Sequence, residues 1–118
     1  MSYKVDGVAI TPATVSATYV TTLTVSGATT APSESLSLSI PAVTALGTFT
    51  TGTVIYSEGT SATTYADTVS SIVITELTTT TTTTSNKVSG TFTAGFQPFL
   101  GGAGSKSITN GTFTNVSY

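Results

Sequence analysis

The sequence predicts an all-β fold, an antiparallel β-sandwich of about eight to ten short strands, with a small twisted β-barrel as the alternative. Thr occurs 30 times and Ser 16 times in 118 residues, and β-branched Thr favours a pleated strand with one face in water. Residues that usually cover a helix surface are scarce, since the chain has three Lys, one Gln and no Arg. Short segments alternate apolar and polar side chains, as half-buried strands do. The length suits one Thr/Ser-rich domain over residues 1–118.

In the first half of the chain, each strand is a short alternating segment that ends at a turn signal. Asp6-Gly7 and Thr11-Pro12 are such signals, and Pro41 closes the most regular segment, ESLSLSI. These signals predict strands at residues 3–10 (broken by the Asp6-Gly7 turn), 13–20, 22–26 and 34–40, with a loop at 27–33.

In the second half, residues 69–77 form the most apolar segment, which predicts a central strand. The run of Thr at 78–84 leads into Ser85-Asn86, a hairpin tip, and Asn110-Gly111 marks a bulge or tight turn. Further strands are predicted at 47–51, 53–57, 62–66 (a short edge strand), 87–96 and 107–118, with a turn at 58–61 and a Gly-rich connection at 97–106.

The side chains expected to point inward from these strands form the predicted core. Its members are apolar residues at alternate positions of their segments. We expect the following residues to be buried: Val15, Leu23, Val25, Leu36, Leu38, Ile40, Phe49, Ile72, Ile74, Val88, Phe92 and Phe113.

Composition also argues against several classes of function. The formal net charge of −2, with no Arg, argues against a nucleic-acid partner. No apolar run is long enough for a transmembrane helix. The chain has no His and no Cys, so Ser-His-Asp and Cys-His catalysis and a zinc site of the usual ligands are impossible. We therefore expect a protein that is not an enzyme, with no catalytic residue, no metal and no cofactor.

Several fragments occur in an order that resembles a family signature. They are Val5-Asp6-Gly7, Gly47-Thr48-Phe49, Val73-Ile74-Thr75, the segment VSGTF at 88–92 and the segment ITNGTF at 108–113. Their order resembles an uncharacterised family of small, mostly exported and often lipid-anchored all-β proteins of Bacteroidota. The resemblance implies a location in the cell envelope or outside the cell, and it carries over no activity. The chain starts at Met1 without an apolar leader or a lipobox Cys, and we expect Met1 to stand in place of an export signal.

Two Tyr-acid pairs are the best candidates for a ligand surface. Tyr56 and Glu58, and Tyr65 and Asp67, each place an acid two residues after a Tyr on either side of one turn. Exposed Tyr rings with nearby acids suit a sugar, so these four residues are a candidate carbohydrate surface. Asp67-Thr68-Val69 also matches an acidic-Thr-apolar pattern for O-glycosylation at Thr68.

The function predicted from these features is a non-enzymatic structural or adhesive domain of the cell exterior. Low charge leaves sheet edges unprotected, so the chain is expected to self-associate through them. One alternative is a surface domain that binds carbohydrate or another ligand, with cell-surface glycans as the partner. The other is an ice-binding surface made of the Thr residues.

Overall fold

The computed structural model describes residues 1–59, 63–78, 86–100 and 104–118, and for 98–100 it describes the backbone only. These residues form ten strands and no helix. The strands are β1 (Ser2–Val5), β2 (Val8–Ile10), β3 (Thr14–Tyr19), β4 (Thr22–Thr30), β5 (Ser33–Pro41), β6 (Gly47–Phe49), β7 (Thr53–Glu58), β8 (Thr63–Thr78), β9 (Lys87–Leu100) and β10 (Lys106–Ser117).

All ten strands belong to one antiparallel sheet. Its order is β2-β1-β10-β9-β8-β7-β5-β4-β3, and β6 pairs with β8 beside this path. The sheet curls into a half-barrel, which brings the ring of Tyr19 on β3 edge-on against that of Tyr118, with 5.7 Å between centroids. The all-β prediction is confirmed. A two-sheet sandwich is not confirmed, and the barrel alternative fits in part, because the sheet curls while β2 and β3 remain its edges.

Turn chemistry explains two of the predicted irregularities. Asp6 and Gly7 have φ values of 48° and 86°, the pair of positive values that a type I′ hairpin turn requires between β1 and β2. Asn110 has a φ of 53°, and the β9–β10 register shifts between Ile108 and Gly111. The turn at Asp6-Gly7 and the bulge at Asn110-Gly111 are confirmed.

Three elements differ from the sequence prediction by more than two residues. The loop predicted at 27–33 is wrong in its first part, because β4 continues to Thr30. Gly27 is a strand residue that packs against Met1 and Pro12, and a Cβ at this position would lie 2.7–2.8 Å from their side chains. The strands predicted at 62–66 and 69–77 are one strand, β8, with a register shift between Asp67 and Val69. The predicted edge strand is wrong, because β8 lies between β7 and β9, and residue 62 lies outside the described residues. β9 extends to Leu100, into the predicted connection. The Thr run beyond 78 and Ser85 lie outside the described residues.

The inner face of the curl holds the hydrophobic core. Every predicted core residue is buried except Val15 and Phe49, which are partly buried and pack against the core. The prediction missed part of this core. The additional buried residues include Tyr3, Val5, Val43, Val54, Tyr56, Tyr65, Phe96, Ile108 and Val116.

Two reciprocal glycine–phenylalanine contacts join β9 to β10. Gly90 is opposite Phe113, and Gly111 is opposite Phe92. A Cβ on Gly90 would lie 2.6 Å from the Phe113 ring and 2.4 Å from the carbonyl oxygen of Val73, and one on Gly111 would lie 2.6 Å from the Phe92 ring. Each ring therefore occupies the space that the opposite residue leaves empty. This packing accounts physically for the Gly-x-Phe pattern in both segments.

Gly90→Ala should lower the free energy of unfolding by about 1–3 kcal/mol, because the added methyl overpacks a site bounded by backbone and a buried ring. The matched control is Gly95→Ala on the same strand, where a Cβ meets nothing within 4 Å. Urea denaturation of both variants measures the difference. An equal loss at the two positions would contradict the packing argument.

Candidate functional site

One end of the half-barrel gathers half of the charged residues in the chain. Asp6, Glu34, Glu58 and Lys106 line a cavity of about 220 Å³, together with Val5, Val8, Ile10 and Tyr56. The chain has only eight charged residues. The four come from the β1–β2 turn and from the ends of β5, β7 and β10 that lie at this side of the sheet. Nowhere else among the described residues do as many charged side chains lie together.

Strand alternation places three of these four side chains on the inner face of the curl. Glu34 keeps the phase of Leu36 and Leu38 on β5, and Glu58 keeps the phase of Tyr56 on β7. Lys106 likewise precedes Ile108 by two residues on β10. On each of these three strands, the charged residue is therefore the next inward-facing side chain after the last buried apolar one.

Lys106 is the central cation of the site. Its Nζ lies 2.9 Å from Glu58 Oε2 and 3.9 Å from Asp6 Oδ2, and 5.4 Å from the centroid of the Tyr65 ring. The hydrogen bond to Glu58 is the main reason why the pKa of Lys106 is raised. Asp6 is itself fixed, because its Oδ1 accepts a 2.8 Å hydrogen bond from the backbone N–H of Ser107.

Two tyrosine hydroxyls complete the surroundings of Glu58. Tyr65 donates to Glu58 Oε1 at 3.1 Å, and Tyr56 donates to Oε2 at 3.4 Å. Burial and the nearby carboxylates raise the pKa of both tyrosines. Glu58 is thus held by two hydroxyls and one ammonium group.

One buried atom of Tyr3 and one buried atom of Glu34 are left without a hydrogen-bond partner. The Tyr3 hydroxyl and Glu34 Oε2 are both buried and have no hydrogen-bond partner among the described residues. Glu34 lies directly opposite Glu58 across the β5–β7 ladder, a like-charge pairing that destabilises a sheet. Burial, and then the charge of Glu34, raise the pKa of Tyr3 to about 12. A buried donor and a nearby buried acceptor therefore stay unsatisfied, each at a cost of roughly 1–3 kcal/mol.

The structure brings three of the four predicted ligand-surface residues together. Tyr56, Glu58 and Tyr65 meet through the hydrogen bonds above, but Asp67 lies at the β8 bulge opposite Phe96 and does not line the cavity. The rings differ from the exposed platforms expected, since Tyr56 is 1% exposed and Tyr65 is 3% exposed. Their hydroxyl groups take part in the polar cluster, and the Tyr65 ring also lies beneath the Lys106 ammonium group.

Thr68, the predicted modification site, is exposed within the same bulge. Its Oγ1 donates to the carbonyl oxygen of Gly95 at 3.3 Å. The modification itself stays a prediction.

Sequence reasoning missed Tyr3, Asp6, Glu34 and Lys106 as site residues. The signal was present, because each of Glu34, Glu58 and Lys106 continues the inward phase of a recognised strand by one step. A charged residue at the next inward-facing position of an apolar strand indicates a polar pocket rather than a turn exposed to solvent.

Two further findings concern ions and membranes. Among the described residues, no group of three or more His, Cys, Asp or Glu side chains is arranged to hold a metal ion. Within the same residues, no helix has the length and apolar character needed to cross a bilayer.

Comparison with known proteins returns no match: no family model, no curated protein and no solved structure is similar to this chain. Functional interpretation therefore depends on the geometry of the site.

The protein should lose stability as the pH rises above about 10. The pKa values of Lys106, Tyr3, Tyr56 and Tyr65 are all raised in the folded state. Above pH about 10 the unfolded chain has lost protons that the native state retains, so each further rise in pH favours unfolding. Urea midpoints measured from pH about 9 to 12 test this, and Tyr3→Phe should reduce the slope. A midpoint that stays constant over this range would contradict the burial of these groups.

Glu34→Gln should raise the free energy of unfolding by up to about 1 kcal/mol at neutral pH, because it removes the like charge opposite Glu58. Chemical denaturation of the unliganded protein measures the change. Glu76→Gln is the control, since Glu76 accepts a 2.9 Å hydrogen bond from Ser89 Oγ and should lose stability on neutralisation. A loss of stability in Glu34→Gln would show that Glu34 is satisfied in the native state.

Proposed function

We propose that the protein is a non-enzymatic adhesive domain of the cell exterior, which binds a carbohydrate hydroxyl group in the cavity at the end of the curled sheet. The supporting observation is Glu34 Oε2, a buried acceptor without a hydrogen-bond partner on a residue that lines the cavity. The Tyr3 hydroxyl is the other unpartnered buried atom, and the charge of Glu34 acts on it. A sugar hydroxyl donates one hydrogen bond and accepts another, so we expect it to donate to Glu34 Oε2 and to accept from Tyr3. Location at the exterior is what the family resemblance implies.

The cavity walls suit a sugar better than a bare cation. Val5, Val8 and Ile10 form an apolar wall beside the polar cluster, and a sugar ring presents C–H groups on one face and hydroxyls at its rim. Lys106 already neutralises part of the acidic charge through Glu58 and Asp6. At about 220 Å³, the cavity is smaller than the roughly 300–1,000 Å³ of drug-sized pockets. We therefore expect it to take one sugar residue, either free or at the end of a glycan.

The absence of catalysis is part of the proposal. Glu34 and Glu58 are neighbouring carboxylates, and such a pair is the minimum equipment of a glycosidase. Glu58, however, accepts hydrogen bonds from Tyr56 and Tyr65 and pairs with Lys106. These three contacts favour a fixed acceptor over a group that exchanges protons with a substrate.

Binding is tested by titrating the isotope-labelled protein with glucose, galactose, mannose and N-acetylglucosamine while recording amide chemical shifts. We expect at least one sugar to shift residues around the cavity. Tyr3→Phe and Glu34→Gln should each weaken its binding by about tenfold or more, because each removes a hydrogen bond of a buried donor or charged acceptor.

Asp67→Asn is the matched control for this titration. Asp67 lies on the same strand as Tyr65 but outside the cavity, so its neutralisation should leave sugar affinity unchanged. An equal loss in Asp67→Asn would favour the surface read from the sequence over the cavity. If no sugar binds, or if a simple diamine binds instead, the carbohydrate proposal is wrong.

Ice binding is favoured by one feature of the outer face. Ser16, Ser26 and Ser37 lie side by side on β3, β4 and β5, and Thr18, Thr24 and Ser39 form the next row. An ice lattice is flat, whereas this sheet curls, so the rows do not stay in one plane. We therefore prefer the carbohydrate function; thermal hysteresis at high protein concentration would reverse that preference.

A further inference from the structure

Strand β3 is an open edge of the sheet. Within the part of the chain that the structure describes, β3 pairs only with β4. That register is continuous from Thr14 opposite Ala28 to Tyr19 opposite Leu23, with no bulge. One side of the β3 backbone therefore presents a straight row of N–H and C=O groups without a strand partner.

The usual protections of an edge strand are missing from β3. Natural edges carry charge, Pro or a bulge, or they are very short. β3 has six residues, none of them charged and none a Pro, and the whole stretch from residue 7 to 33 contains no charged residue. The opposite edge, β2, has only three residues and lies beside the strand that carries Lys4.

Most side chains of β3 leave this edge accessible, whereas its Tyr19 end packs against Tyr118. Thr14, Ser16 and Thr18 are exposed on the outer face, whereas Val15 and Ala17 are half-buried on the inner face. Val20, which follows the strand, is 90% exposed.

From this geometry we infer that two copies of the protein associate by pairing β3 with β3 in antiparallel orientation about a twofold axis. A self-paired strand keeps its inner and outer faces aligned only when the axis passes through a residue, because neighbouring side chains point to opposite faces. Two such registers pair five residues of β3, one centred on Ser16 and one centred on Ala17. Both place hydroxyls opposite hydroxyls and apolar side chains opposite apolar side chains.

We expect the strand that pairs with β3 to come from a second copy of the protein, because β3 is complementary to itself in these registers. The register centred on Ala17 pairs Ser16 with Thr18 outside and Val15 with Tyr19 inside. Cross-strand pairs of these types are favourable, and the absence of charge removes any repulsion between the copies. A twofold contact closes on itself, so it ends at a dimer, whereas β3 on β2 of the next copy would continue into a fibre.

Sedimentation equilibrium of the full chain over a wide concentration range tests the dimer. The wild-type protein should show a concentration-dependent equilibrium between monomer and dimer. Ser16→Lys should abolish the dimer, since it brings two ammonium groups together near the axis. Ser37→Lys is the control, because Ser37 lies in the same outer row on the interior strand β5, and it should leave the dimer intact.

A distance measurement keeps the test decisive if a lysine variant folds poorly. The chain has no Cys, so a spin label on Ser16→Cys reports only on the same position in the partner. We expect a short distance between labels at position 16 and a clearly longer one for Ser37→Cys. A wild-type monomer at every concentration, a fibre, an equal loss of dimer in both lysine variants, or equal label distances would each overturn the inference. It is independent of sugar binding, which a monomer is also able to perform.

Discussion

The fold depends on two phenylalanine rings that occupy space left by glycines on the neighbouring strand. Phe113 covers Gly90, and Phe92 covers Gly111, so β9 and β10 lock together in one register. The same two rings lie 6.2 Å apart, and Phe92 lies 6.1 Å from the ring of Tyr3. A side chain larger than hydrogen at either glycine would push a ring out of the core. Through the contact of Phe92 with Tyr3, β9 also helps to position β1.

The curl of the sheet explains why so few charges meet in one place. β9 and β8 lie between β10 and β7 in the sheet order, yet Lys106 on β10 reaches Glu58 on β7 as well as Asp6 beside the neighbouring strand β1. A flat sheet would keep Lys106 and Glu58 apart. Gathering the charges in one place opposes stability, because Glu34 faces Glu58 across the ladder and leaves one oxygen unsatisfied. Two of the eight charged residues, Glu34 and Glu58, thus face each other at a cost that we expect a bound ligand to reduce.

The alternation of side chains was enough to predict the fold class, most of the core and most of the strand positions. It failed at Gly27, because the glycine indicated a loop although it lies within β4. The glycine is needed there because Pro12 packs closely against it. Neighbour relations were also out of reach, since no local pattern shows that β5 pairs with β7 or that β6 pairs with β8. For the site, Tyr56, Glu58 and Tyr65 were predictable from spacing alone. Tyr3 and Lys106 joined them only through the curl, which depends on contacts distant in sequence.

The cavity and the open edge have a common origin in incomplete closure. A closed barrel would pair its two edges and leave no free strand. Here β3 meets the end of the chain through the edge-on contact of Tyr19 with Tyr118, and the Tyr19 hydroxyl donates to the carbonyl oxygen of Val43 at 2.6 Å. Side chains thus hold β3 in place where a barrel would use a backbone ladder. Since those contacts use ring edges and a hydroxyl, the outer backbone groups of β3 are left to pair with another strand, and a second copy presents a strand of the same length and the same alternation.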